Sequence, residues 1–332
     1  PTLVPELYDA VFVVVRPGAP HSLMAALLFA GPLLVPASHA ALTVAAVAPE
    51  PCSSASAAAI AARAAAVRSL YATKHIRLHR DSALGKVLRQ AEALSMDWTE
   101  GRDIAGIRRL IDASHANRIA NAIDLVSDDP QAIEALRRIS GNDVNLSARD
   151  PSQGKDALWE LELLAFLRRR GVDAQLVDPP DIVLDVGFGD YGIACKKVYS
   201  ERGVEAQLRK GCRQLAPFFG AGVVALNVDD LVPEDVVLTS RTNVDPADFL
   251  AQLNVDFIER HRPKLQRFLV EAKCDGVLVS TTIVSDILGS RVRLNNYTQV
   301  TLWTLDNLSA EVAERLDALR AAVQATRDGG PG

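Results

Sequence analysis

A glutamate on a helix, an aspartate after two prolines and a lysine one strand later are the residues of this chain best suited to chemistry. They are Glu160, Asp181 and Lys196, all within the stretch Trp159 to Leu215. In the run WELELLAFLRRRG, Glu160, Leu164, Leu167 and Gly171 recur at i, i+4, i+7 and i+11, which is one face of a helix. Leu164 and Leu167 pull that face toward a core and carry Glu160 with them. A carboxylate drawn inward is costly unless a cation or hydrogen bonds compensate it, so Glu160 is a candidate ligand. Next, Pro179-Pro180-Asp181-Ile182-Val183-Leu184-Asp185 turns on its prolines into a β-branched strand, with Asp181, Val183 and Asp185 on one face. After the turn Gly187-Phe188-Gly189-Asp190, a second strand runs from Tyr191 to Lys197, with Ala194 and Lys196 on one face and Cys195 and Lys197 on the other. Aspartate binds a hard divalent cation through oxygen. Lysine orients a water and offsets charge developing on a phosphate.

Glu160, then Pro180-Asp181, then Ala194-Cys195-Lys196 resemble the helix glutamate, the PD and the (D/E)xK of the PD-(D/E)xK nuclease superfamily. The run WELELLAFLRRRG is similar to the opening helix of its Mrr-like restriction endonuclease branch. Ser200 and the helix with Gln207 and Gln214 sit where such nucleases often carry a Ser and a Gln. The resemblance covers roughly residues 155 to 230, with the strands out to about 305 as a further extension. It implies a restriction-endonuclease-like mixed central sheet flanked by helices, preceded by an all-helical N-terminal domain. It also implies a Mg²⁺- or Mn²⁺-dependent endonuclease acting on DNA, in restriction or defence. Lys196, Glu160 and Asp181 would be catalytic, and Lys197, Ser200, Arg209, Lys210 and Gln214 would touch nucleic acid.

One position departs from the motif. Ala194 stands where the acid two residues before the lysine belongs, and Asp181 alone is a weak site for Mg²⁺. Some members of the superfamily are similar in moving that acid to the following helix. Glu205 then joins Asp181 and Glu160 as the metal set, being one step from the apolar stripe Val204, Leu208, Cys212, Leu215. Glu201, Glu162 and Asp185 are the alternates. On this reading a glutamate introduced at Ala194 would restore a ligand, and Glu205→Ala would abolish cleavage. The competing reading takes Ala194 as the mark of a non-cleaving relative that binds nucleic acid or a protein partner.

The surrounding chain bounds these readings. Its 332 residues suffice for two domains and a sizeable core. A net charge of -5 excludes a generally basic nucleic-acid coat, so DNA contacts must come from a local patch. Arg168, Arg169, Arg170, Arg202 and Arg213 add to the lysines and arginines already named there. The four cysteines have no zinc-finger or disulfide-framework spacing and fit a reducing, cytoplasmic location. No GxGxxG, GxxxxGK[ST] or GxSxG follows a strand, so a nucleotide cofactor and serine hydrolysis lose support. Double-strand cutting would favour a homodimer.

Residues 1–55 are apolar and of low complexity, and are expected to be a poorly structured extension. Met24 to Ala48 has no charged side chain and raises the question of a membrane segment, interrupted by Pro32 and Pro36. Residues 56–140 read as a helical domain: Ala57 to His79, Ser82 to Leu94, Arg102 to Leu125 and Pro130 to Ile139. His75 and His79 at i, i+4 are read as a solvated face. Residues 141–154 form a polar linker. The nuclease-like domain follows over 155–305, with strands at 181–186, 191–197, 221–229, 274–283 and 296–305, a short one at 236–240 and a helix over 246–269. Residues 306–332 are a C-terminal helix and tail.

Overall fold

The computed structural model describes residues 10–15, 57–100, 107–218, 221–232, 237–240, 244–271, 273–287 and 294–324. Among the described residues the elements run, in chain order, β1 (Ala10–Val15), α1 (Ala57–Thr73), α2 (Ala83–Thr99), α3 (Ile107–Asp124), α4 (Ile133–Gly141) and α5 (Gln153–Arg169). Three strands follow, β2 (Ala174–Val177), β3 (Asp181–Asp185) and β4 (Asp190–Lys197), and then α6 (Val204–Leu215). The remainder is β5 (Gly222–Asn227), β6 (Val237–Ser240), α7 (Val244–Val270), β7 (Gly276–Ile287), β8 (Leu294–Trp303) and α8 (Ala310–Gln324).

The strands make one sheet in the order β1-β8-β7-β5-β4-β3-β2, with β6 added to β7. β4, β5 and β7 run parallel, whereas β2, β3 and β4 form an antiparallel meander and β7 pairs antiparallel with β8. This is a mixed α/β fold with an open mixed sheet. β5, GVVALN, is buried at every position, as befits a parallel strand covered on both faces. Cys195 pairs with Ala225 and Lys196 with Leu226, so the lysine sits at the carboxyl end of the parallel segment.

Helices cover both faces. On one side α5 lies against β4, and its apolar residues continue into those of α1 to α4 and α8, from Ile60 through Leu136 and Leu161 to Ile193. On the other side α6 and α7 pack on Ala194, Val224 and Val277. The helices of residues 57–141 thus share one core with the sheet. The polar stretch between them and α5 is ordered: Val144 is buried, and Ser152 caps α5 by accepting from the Gly154 N–H. At its other end α5 stops on Gly171, whose φ of 79° only glycine adopts readily. The Val172 N–H donates to the Leu167 carbonyl and the Gly171 N–H to the Arg168 carbonyl, a Schellman closure.

Several expectations are met closely. The hairpin 181–186/191–197 is antiparallel as read, and the run read at 221–229 holds the central strand β5, Gly222–Asn227. Others need correction. Helix α1 ends at Thr73, and His75 takes φ 54°, so His75 and His79 do not share a helical face. The segment read as a poorly structured extension contains β1, whose AVFVVV run pairs in parallel with β8. Residues 24–48 lie outside the described residues, among which no helix is long and apolar enough to cross a membrane.

Candidate active site at the Asp181–Lys196 hairpin

Asp181 and Lys196 meet across the hairpin with an oxygen–nitrogen distance of 2.8 Å. Their positions follow from local structure. Pro179 and Pro180 deliver the chain to the start of β3, where Asp181 adopts φ 128°. A non-glycine residue rarely takes that conformation, and such backbone strain collects at functional sites. Period 2 along β4 turns Lys196 to the same side as Ala194, toward α6. The Asp181 carboxylate then receives three donors. The Lys196 ammonium and the Cys195 N–H reach Oδ2, at 2.8 and 2.7 Å, and the Gln214 amide reaches Oδ1 at 3.1 Å. Lys196 also donates to the Cys195 carbonyl at 2.6 Å.

Glu160 is the third member. It is buried on α5, as its face predicts, and is gripped by both terminal guanidinium nitrogens of Arg138 from α4. Burial pushes the Glu160 carboxyl up from its ordinary 4.5 to about 7, against the Arg138 hydrogen bonds and with help from the Asp181 charge. Burial also raises Asp181, with Lys196 opposing the shift. Two partly desolvated acids, each with one cation, thus act on one another's charge. Asp156, one turn before Glu160 on α5, is raised by burial and accepts from the Tyr199 hydroxyl at 2.8 Å. Lys196 and Arg138 both act on its charge.

Glu160 gives a pH signature. Its folded pKa lies above its ordinary value, so between 4.5 and about 7 the folded chain holds a proton that the unfolded chain releases. Stability is therefore lost as pH rises through that window, by about 3 kcal/mol at ~1.36 kcal/mol per unit. Glu160→Gln removes the titration. Urea unfolding at pH 4.5 and pH 8 is expected to show the variant gaining about 3 kcal/mol relative to wild type over that interval. Parallel pH profiles would contradict it.

The remaining site residues are scattered. Glu205 does not join Asp181: it is half-buried on α6 and paired with Arg209 at 2.9 Å and with Arg267 of α7 at 2.8 Å. Gln214 is the residue of α6 that reaches Asp181, and Glu205 lies nine residues away, about 13 Å along the axis. One step off the apolar stripe turned Glu205 toward α7 rather than toward the hairpin. Glu205→Ala is thus expected to leave the melting temperature nearly unchanged and, on the nuclease reading, to leave cleavage nearly unchanged too, as read in a thermal scan and an activity assay. Abolished cleavage would return it to the site.

Glu201 pairs with His261 and Arg260 of α7. Glu162, two residues beyond Glu160 on α5, points elsewhere and takes Arg118, which also holds Asp229 at 2.7 Å. Asp185 is exposed and accepts from the Gly187 N–H in the hairpin turn. Ala194 has no exposed surface and lies in the apolar cluster of Val204, Leu208, Leu215 and Val224. A glutamate there would enter that core instead of joining Asp181 as a ligand. Lys197 is not a surface contact either. It is buried on the opposite sheet face, 3.0 Å from Asp230 and 2.8 Å from the Asn227 side chain. Ser200, Arg209 and Lys210 are exposed, and Gln214 is half-buried.

Sequence reasoning missed Arg138, which comes from a helix read as carrying no chemistry. It also missed Asp156, although i, i+4 from Glu160 was a usable signal. The Lys197–Asp230 and Arg118–Asp229 pairs border a cleft at the ends of β4 and β5, with Arg149 and Thr282.

The donor set suits a hard cation in kind. The carboxylates of Asp181 and Glu160 and the Cys195 carbonyl are oxygens, and Mg²⁺ takes one or two carboxylates while keeping waters and substrate phosphates. Among the described residues no three His, Cys, Asp or Glu side chains are grouped as a ready-made cage. Comparison with family models, curated proteins and solved structures gives no match for this chain.

Proposed function

We propose that the chain is a Mg²⁺-dependent endodeoxyribonuclease of the PD-(D/E)xK type, with Asp181, Lys196 and Glu160 as its working residues. The observation that carries this reading is the 2.8 Å contact between Asp181 and Lys196 on adjacent strands, beside a buried glutamate from the covering helix. Asp181 and Glu160, with the Cys195 carbonyl, would hold the cation. When bound, Mg²⁺ supplies Lewis acidity toward a phosphate oxygen and toward water. Lys196 orients the attacking water and stabilises charge on the phosphate, since its ammonium is already fixed by Asp181 and the Cys195 carbonyl. Gln214 fixes the other oxygen of Asp181. Arg138 keeps Glu160 in place at the site's edge.

Cation binding needs the ionised carboxylate, and Glu160 titrates near 7. Activity should accordingly rise with pH through that value. Plasmid DNA incubated with the chain and Mg²⁺ or Mn²⁺ tests the proposal, with a chelator as control. Nicked or linear product that vanishes with the chelator is expected.

A second reading has its own observation. Each carboxylate already has one cationic partner, Lys196 on Asp181 and Arg138 on Glu160, so the pair carries no net charge to attract a divalent ion. On that reading the chain is a non-cleaving protein of the same type that binds nucleic acid or a protein. Retarded but intact plasmid under all metal conditions would favour it.

A further inference from the structure

Cys212 and Cys274 face each other where α6 packs beside the start of β7. Their sulfurs are 3.9 Å apart, both residues are buried, and both belong to the apolar cluster that includes Phe268 and Val277. Neither takes part in the Asp181–Lys196 site. Sulfurs in a disulfide stand about 2.05 Å apart, so a shift of about 2 Å closes the gap. Sixty-two positions separate the two residues in the chain, and only the fold brings them together.

We propose that Cys212 and Cys274 form an oxidative modification site, which hydrogen peroxide converts to an intramolecular disulfide. The two cysteines have different roles. The hydrogen bond between the two sulfurs, 3.9 Å apart, holds Cys212 below the ordinary thiol range, and the neighbouring Lys273 ammonium acts in the same direction. The same hydrogen bond, with burial, pushes Cys274 up, so it keeps its proton. Cys212, the more exposed of the two at 7% against 4%, is the attacking thiol and Cys274 the resolving one. Peroxide is small enough for a sulfur whose residue is 7% exposed.

The chemistry closes in two steps. The Cys212 thiolate attacks one peroxide oxygen, the O–O bond breaks, and hydroxide leaves, giving a sulfenic acid. The Cys274 sulfur then attacks the Cys212 sulfur, the S–O bond breaks, and water leaves with the proton of Cys274. Two thiols and one peroxide thus become one disulfide and two waters, with sulfur oxidised and peroxide reduced. The bond would fasten α6, which brings Gln214 to Asp181, to the start of β7.

The test uses the full chain, reduced, exposed to hydrogen peroxide, then denatured and alkylated. Free thiols are expected to fall from four to two, with the loss of two hydrogens and one cross-linked peptide pair containing Cys212 and Cys274. Cys274→Ser should accumulate a sulfenic acid at Cys212, captured by dimedone, and yield no link. The double variant Cys52→Ser, Cys195→Ser should link as wild type does. Four remaining thiols, a link that uses Cys52 or Cys195, or sulfinic acid at Cys212 without a link would each overturn the proposal.

Discussion

Ala194→Glu is expected to cost about 3–5 kcal/mol of folding stability and to restore no metal-dependent activity. Ala194 has no exposed surface, and the residues gathered around its face are Val204, Leu208, Leu215 and Val224. A glutamate adds a methylene and a carboxylate to a filled core, which alone strains the packing. Its carboxylate would also lack a cation, because the Lys196 ammonium is already shared between Asp181 and the Cys195 carbonyl. The carboxyl would take up a proton or push α6 off the sheet, and either outcome lowers stability. Urea unfolding measures the loss directly. A variant as stable as wild type that cuts DNA faster would show that the hairpin has room for the acid the motif calls for.

Lys196→Met carries the largest expected effect on activity. Methionine keeps much of the length and apolar stem of lysine but removes the ammonium. Asp181 then retains the Cys195 N–H and the Gln214 amide and loses the ammonium at hydrogen-bond distance. A group that positions a water and transfers or stabilises charge in the transition state is worth about 100- to 10,000-fold in rate. The variant should lose cleavage by that factor while DNA affinity, measured by gel retardation, changes only a few-fold. Cleavage within three-fold of wild type, roughly the scatter between preparations on the scale of kinetic free energies, would remove Lys196 from its role.

Much of the hairpin was legible because its signals are local. Alternation from Asp181 to Asp185 and from Tyr191 to Lys197 set both strands, and the apolar run of β5 marked a strand covered on both faces. The inward face of α5 was equally readable, and Glu160 is buried on it. What failed depends on neighbours that no periodicity names. Glu205 sits 100° from the stripe of α6, and the stripe does not say which flank faces the hairpin and which faces α7. Gln214 has the favourable flank, so it contacts Asp181 instead of nucleic acid. Arg138 reaches Glu160 from a helix 22 residues earlier in the chain, and nothing in the spacing predicts that meeting. Lys197 alternates away from Lys196 as read, but only the fold shows Asp230 waiting on that side. β2, four residues long, is too short to leave a pattern.

Plasmid cleavage by wild type and Asp181→Asn, side by side in Mg²⁺, tests the proposed site most directly. Asparagine keeps the shape of the aspartate and one oxygen, but it gives up the negative charge that would hold a cation and that pairs with Lys196 at 2.8 Å. The expected result is metal-dependent nicking by wild type, and at least about a hundredfold less by the variant, with DNA still bound by both. Equal cutting by the two proteins, or cutting by neither while both bind, would contradict the assignment of this hairpin as a nuclease site.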